Sequence, residues 1–427
     1  MWPGCDTMIR MSWRKTFLVL VLMSLTGWVG FWLGEKKLEL SFKNWKPAVV
    51  VNRTPQSMAA DQNTDFTLFW TVWDRVSQLY VDKAKLDPKK MVDGAISGMV
   101  AAIGDPYTAY LPIQQNKETK EDLGGAFEGV GMQLGFKESQ LAVQTPLEGT
   151  PAMKAGVRAG DFILHILDKA AGVDRDTKGM PLPEAIKLIR GKKGTEVVLT
   201  MYRAGAKEPF EVALVRDTIV VKSVILEFLD PLTGSGQGKK VAWLKVTRFG
   251  DRTTEEWTEA LSKINTDKPA GVVLDLRNNP GGYLEGAVYL SGEFLPAGKL
   301  VVSQVYGDGS RTDNKVNRNG GLLSMPLIVL VNGGSASAAE IMSGALQDQK
   351  RAKIVGEQSF GKGSVQQPED FPDGSGIHVT IAKWIRPNGE WIDKEGITPD
   401  YVVEWDSEDT GGDWTKDPQL VKSVEIL

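Results

Sequence analysis

One segment of this 427-residue chain combines a nucleophile with a setting that would expose it: PLIVLVNGGSASAAEIMSGALQD, residues 326–348. An apolar run passes through small residues into a helical pattern, and that strand-turn-helix order lifts a serine hydroxyl clear of the backbone. Ser337 would stand at a helix N-terminus, where free amides and the helix dipole favour a developing oxyanion. Its neighbours Ala336 and Ala338 leave room for a peptide. A serine at a helix start serves equally well as a cap, so position alone leaves both readings open. Histidine is poor material for a Ser-His-Asp triad, because the chain has two, His165 in FILHIL and His378 in GIHVTIAKW. Each sits in an alternating apolar run that reads as a strand. Two isolated histidines and one cysteine, Cys5, fall short of the usual zinc ligand sets and exclude an internal disulfide, so no metal is expected.

A base must then come from another residue type. Lys362 lies between Gly361 and Gly363 in GEQSFGKGSVQ, so tight backbone rather than a solvated helix presents it. Among 50 lysines and arginines one lysine means little. It acts as a base only as a neutral amine, which requires burial or nearby positive charge to lower its pKa from about 10.4. The run NNPGG supplies Gly281 and Gly282, whose unhindered N–H groups would form one half of an oxyanion hole with the Ala338 amide as the other. Plain turn glycines would look the same.

The elements that must position these residues follow from periodicity. KVAWLKV, a helix around Trp257 to Ile264, GVVLDLR, a helix from Tyr283, PLIVLV and a helix from Ser337 alternate, which predicts α/β layering with buried strands over 218–427. Residues 126–217 read instead as short strands between glycine turns, with one helix in PLPEAIKLIRGKKG. Within it FEGVGMQLGF places Gly129 and Gly131 before an alternating run, a nest of amides able to hold a carboxylate. Residues 63–125 read as a small helical region. There Phe66, Phe69, Trp70, Trp73, Val76 and Tyr80 mark an apolar helix face expected to be core, and MVDGAISGMVAAIG ends in the turn Gly104-Asp105-Pro106.

Ahead of these, residues 16–34 carry no charge and would span about 28 Å as a helix, close to the thickness of a bilayer core. Arg10, Arg14 and Lys15 precede the run and favour a cytoplasmic N-terminus over 1–15, with 35–62 as a tether and the remainder on the extracytoplasmic side. The competing reading is a cleaved signal peptide, which the length of the run and the lack of a small-x-small site disfavour. A net charge of −4, with no basic run, excludes nucleic acid as a partner.

From Asp65 to Trp405 the order of motifs resembles the carboxyl-terminal processing, or tail-specific, proteases: GDPYTAYLP, then TPLEGTPAMKAGVRAGDFILHI in a module similar to bacterial PDZ domains, then LDLRNNPGG, SASAAEI, GKGSVQ and KWIRPNGEWIDKEGITPDYVVEW. The resemblance implies a Clp-protease/crotonase-like α/β core with an inserted PDZ domain, a small N-terminal helical region and a transmembrane helix. It implies a Ser-Lys dyad of Ser337 and Lys362, with Gln366 positioning the lysine amine and Glu340 and Asp348 in supporting acidic positions. Gly129, Val130, Gly131 and Met132 would form the carboxylate-binding loop, and the helix around Ala185 to Ile189 the opposite wall of a groove for a substrate tail. Arg190 would either couple that groove to the core or be solvated. Protein substrates with apolar C-terminal tails are the expected partners, and no cofactor is implied. Ala339 departs from the family pattern, where a second serine often follows the nucleophile. Two rival readings are a membrane-tethered PDZ scaffold without activity and a Ser-His hydrolase using His378.

Overall fold

The structure, a computed structural model, describes residues 39–43, 46–50, 65–137, 139–147, 149–230, 240–405 and 413–427. The apolar run 16–34 lies outside the described residues, as does most of the tether. Among the described residues no helix is long and apolar enough to cross a membrane. The chain divides into two compact units, residues 1–87 and 88–427, so the helical region expected over 63–125 is split between them.

The first unit holds a hairpin, β1 (Glu39–Lys43) and β2 (Lys46–Val50), and helix α1 (Thr67–Leu79). The aromatic face of α1, expected to be core, buries no residue. Its rings meet one another along the helix instead, Phe69 against Trp70 at 5.0 Å between centroids. Periodicity marks an apolar face but carries no information about what covers it.

The second unit begins with α2 (Pro88–Ala101), whose proline suits a first turn where the missing N–H has no partner anyway. β3 (Ala109–Leu111) and α3 (Ile113–Leu123) follow. Next comes the β-rich module: β4 (Ala126–Gly129), β5 (Met132–Lys137), β6 (Gln140–Pro146), α4 (Pro151–Lys154), β7 (Phe162–Asp168), β8 (Val173–Asp176), α5 (Leu182–Ile189), β9 (Glu196–Tyr202) and β10 (Phe210–Val215). Its sheet runs β10-β9-β7-β6-β5, with β8 beside β7, over a core that includes Ile163, Ile166, Leu199 and Met201. β11 (Asp217–Val220) then pairs antiparallel with β4, Asp217 opposite Gly129. That ribbon brings the two ends of the module together, the geometry an inserted domain requires.

The remaining elements are β12 (Val224–Leu229), β13 (Val241–Val246), α6 (Thr253–Asp267), β14 (Val272–Asp275), α7 (Leu284–Ser291), β15 (Leu300–Tyr306), β16 (Arg311–Lys315), β17 (Leu327–Val331), α8 (Ala338–Asp348), β18 (Lys353–Gly356), β19 (Ser364–Asp370), β20 (Gly376–Ile385), β21 (Tyr401–Val402) and α9 (Pro418–Ile426). A six-stranded sheet, β12-β13-β14-β17-β18-β21, is parallel from β13 onward. Every residue of β14 and β17 is buried, which explains the unbroken apolar run of β17 and that of β14 up to its last residue, Asp275. A second, antiparallel sheet, β16-β15-β20-β19, takes β3 as an extra strand on β20.

A buried ionic cluster fixes the loop that leaves β14. Arg277 donates to both oxygens of Asp275, at 3.0 and 2.7 Å, and its other nitrogen meets Asp417 at 2.9 Å at the start of α9. Burial pushes the Asp275 carboxyl up, but the charge and hydrogen bonds of Arg277 outweigh it and hold the group below the usual carboxylate range. Removing one member of such a cluster strands the opposite charge. Arg277→Ala should therefore lower the free energy of unfolding in urea by about 3–5 kcal/mol.

Candidate active site

The site is built at the C-terminal ends of β14 and β17, the edge where open parallel sheets present their loops. The two loops are joined by named contacts. Ser335 Oγ donates to the Leu276 carbonyl at 2.8 Å, the Ala336 N–H to the Asn279 carbonyl at 2.9 Å, and the Asn278 N–H to Asn332 Oδ1 at 2.8 Å. Ser337 follows with φ 53° and ψ −116°, a conformation that side chains other than glycine rarely adopt, and its amide opens α8. The strand-turn-helix expected from the sequence is thus a strained elbow with a half-buried serine at its tip.

Glu340, one turn into α8, is fully buried and is the acceptor for four donors. Its Oε2 takes the Ser337 N–H at 2.8 Å and the Lys362 N–H at 3.0 Å; its Oε1 takes the Gly361 N–H and the Ser359 hydroxyl, both at 2.6 Å. Ser359 Oγ in turn accepts the Ile397 N–H at 2.6 Å. Burial pushes the Glu340 carboxyl up, against the pull of these donors. Because every partner donates, only the ionised form satisfies them all. One carboxylate therefore ties the serine elbow to the lysine loop.

The Lys362 side chain is half-buried, and burial holds its pKa below the ordinary lysine range although Glu340 and Asp105 pull the other way. Its Nζ lies 5.1 Å from the centroid of the Tyr107 ring. Among the described residues no hydrogen bond joins Ser337 Oγ to Lys362 Nζ. Gln366 is close in sequence but is not hydrogen-bonded to the lysine either: its Nε2 donates to Ser364 Oγ at 2.9 Å and to Thr380 Oγ1 at 3.1 Å. With both amide hydrogens so used, its Oε1 is the atom left to accept from an amine.

The glycine pair is required by packing as well as by backbone angle. A Cβ on Gly281 (φ +101°) would come within 2.7 Å of Ser337 Cβ, and one on Gly282 (φ +133°) within 2.0 Å of the Phe249 carbonyl oxygen. The Gly281 N–H is already spent on Asn279 Oδ1 at 2.8 Å, so it is not the oxyanion donor that the sequence suggests. The Gly282 and Ala338 amides, among the described residues, have no such partner.

Asp348 is not brought to this site. It sits at the far end of α8, about 16 Å along the helix from Ser337, and is held by Arg386 at 2.5 and 3.1 Å. His378, read as a strand residue, is on β20 as expected. Yet burial first, and then the Lys362 charge, push its imidazole down, so the fold brings it within electrostatic reach of the lysine. His165 pairs with Asp174 at 2.8 Å in the β-rich module. Sequence reasoning assigned no role to Tyr107, Asn279, Ser359 or Thr380; the motifs GDPYTAYLP and NNPGG, which contain the first two, were the available signal.

In the β-rich module the carbonyls of Val130 and Gly131 are engaged, by Ala152 N–H at 2.9 Å and Leu147 N–H at 2.9 Å. Their own amides have no partner among the described residues. Gly129 belongs to β4 and Met132 opens β5. Of the expected groove wall, Ala185 and Ile189 are core. Leu182, Ile186 and Arg190 instead face a cavity of about 900 Å³ that α3 and Phe127 close from the other side. Arg190 is not free in solvent: its guanidinium lies 4.1 Å from the Phe127 ring centroid.

Comparison with known proteins places this geometry. The profile of peptidase family S41 matches residues 240–403, and that of the activating protease CtpB N-terminal domain matches residues 25–119. The chain is 37% identical to carboxy-terminal processing protease CtpA of Bacillus subtilis, over 82% of this chain and 71% of that protein. It belongs to peptidase family S41. A carboxy-terminal-processing protease of Bartonella bacilliformis is 38% identical over 81% of this chain and 76% of its own length. The solved structure of a Bacteroides fragilis protein assigned to the S41 proteases covers 88% of this chain and 98% of itself, with a TM-score of 0.55 at 18% identity, a likeness of fold. The protein is accordingly a serine-type peptidase with an α/β protease core.

Glu340→Gln replaces one acceptor oxygen with an NH2 group that would face a donor. Because displacement of catalytic groups by about 1 Å costs on the order of 10²-fold, steady-state assays should find kcat lowered on that scale with KM little changed.

Proposed function

We propose that this protein is a membrane-anchored serine endopeptidase that captures substrate C-terminal tails in its PDZ-like module and cleaves with a Ser337–Lys362 dyad. The observation that carries the reading is the Glu340 carboxylate, which accepts from the backbone of both the nucleophile and the base and so holds their loops in register. In the reaction the neutral Lys362 amine takes the Ser337 hydroxyl proton as Oγ attacks the scissile carbonyl. The Gly282 and Ala338 amides receive the oxyanion. The lysine then passes its proton to the leaving amine, and a water deprotonated by the same amine releases the acyl group from Ser337. Gln366 Oε1 is suited to hold the lysine once it swings toward the serine. Asp348 acts only through the packing of α8.

In the module, the Val130 and Gly131 amides, which have no partner among the described residues, would take a terminal carboxylate, with the tail lying beside β5 against the Leu182 and Ile186 face of α5. Leu182 and Ile186 also line the cavity that α3 closes, and this shared wall is the proposed route from the module to the core. Residues 16–34 would anchor the chain with its catalytic part on the extracytoplasmic side.

Ser337→Ala should abolish turnover and labelling by a fluorophosphonate. Lys362→Arg keeps the charge but cannot lose its proton, and should be inert at every accessible pH. In the wild type the rate should rise with pH along a limb centred below the ordinary lysine value of 10.5. Full turnover by Lys362→Arg would refute the dyad. The full chain should stay with membranes through an alkaline carbonate wash, and amidating a substrate's C-terminus should raise KM at least about tenfold, the scale of one lost charged hydrogen-bonded contact.

A further inference from the structure

The reaction just described gives Tyr107 no part, yet its ring lies over the base. The residue is half-buried and its position is set by a chain of hydrogen bonds rather than by chance surface packing. Its own N–H donates to Asp105 Oδ1 at 3.0 Å, and Thr108 Oγ1 donates to Asp105 Oδ2 at 2.6 Å. Thr108 Oγ1 also accepts the Thr380 N–H from β20 at 3.0 Å. The turn carrying Tyr107 is thus pinned to the strand whose Thr380 hydroxyl receives Gln366.

We propose that Tyr107 is a positioning residue for the general base: its ring covers Lys362 Nζ at 5.1 Å, keeps water from the amine and limits its rotamers. The proposal rests on the dyad reading above. Several charged groups face this pocket. Glu340 on α8 and Asp105 before β3 favour the protonated amine, and both oppose burial, which is the larger effect on Lys362. His378 on β20 shares the field of the lysine. Asp393 acts on Tyr107, whose hydroxyl is pushed up first by burial and then by Asp393, Glu340 and Asp105. The phenol is therefore neutral at working pH and is a cover, not a counter-ion. A cation–π attraction would favour the charged amine, but 5.1 Å is near the outer limit of about 6 Å for that contact. Excluding water, which disfavours the charge, is the stronger influence.

The test is the pH profile of kcat/KM for the full-length, membrane-held protein, together with the rate of Ser337 labelling by a fluorophosphonate as a function of pH. Tyr107→Ala should move the rising limb to higher pH by about one unit, a loss of about tenfold below the limb that is recovered above it. Tyr107→Phe, and Tyr107→Leu, which keeps apolar cover without a ring, should leave the limb in place. A limb unmoved in Tyr107→Ala, a loss uniform across pH, or a shift to lower pH in either the Ala or the Leu variant overturns the proposal. Lys362→Arg separates the two layers of inference. If that variant labels and cleaves like the wild type, the dyad itself is wrong; if it is inert while Tyr107→Ala keeps the wild-type limb, only the role of Tyr107 falls.

Discussion

A single buried carboxylate organises the catalytic end of this protein. Glu340 is taken out of water, a cost of several kcal/mol for an ion, and four donors converge on it in compensation. Two of them are the amides of Ser337 and Lys362, so the same contacts that make the ion tolerable also set the separation of the two loops. The strained backbone at Ser337 persists because this arrangement, and the close approach of Gly281 to the serine Cβ, over-determine it.

The sheet supplies the rigid part of the frame. β14 and β17 are fully buried and end side by side, and cross-contacts between the NNPGG and NGGSAS loops hold the serine and its neighbouring amides as one piece. The Arg277 cluster ties the first of these loops to α9 at the chain's end. Against this frame the lysine is the adjustable part. Its backbone is fixed by Glu340, while its amine rests near Tyr107 without a hydrogen bond to the serine. Burial disfavours the charged form of the Lys362 amine, which suits the proposed role of a lysine as the base in a chain with two histidines.

The β-rich module returns to the core where it left, through the β4–β11 ribbon. Its helix α5 nonetheless shares a cavity with α3, and Arg190 stacks on Phe127 of the ribbon itself. A ligand in that cavity would therefore touch both the module and the element that leads to β3, Tyr107 and the lysine.

Much of this was legible in the residues alone. Burial of β17, and of β14 as far as Leu274, was written as apolar runs, α8 as a helical pattern after small residues, and the candidate nucleophile as the serine that starts that helix, because these are local patterns set by periodicity and turn chemistry. Family likeness then singled out Lys362. Pairings between distant residues were not legible: the Ser359, Gly361 and Lys362 donors of Glu340, the ring of Tyr107 over Lys362, and the pairing of Asp348 with Arg386 at the far end of its helix. Nor could the aromatic face of α1 announce that nothing in the described structure buries it. Spacing along the chain dictates which face of an element a side chain occupies. Which partner meets that face, and whether an amine there is wet or dry, is decided only when the sheets and loops pack, since burial and long-range hydrogen bonds have no signature in local sequence.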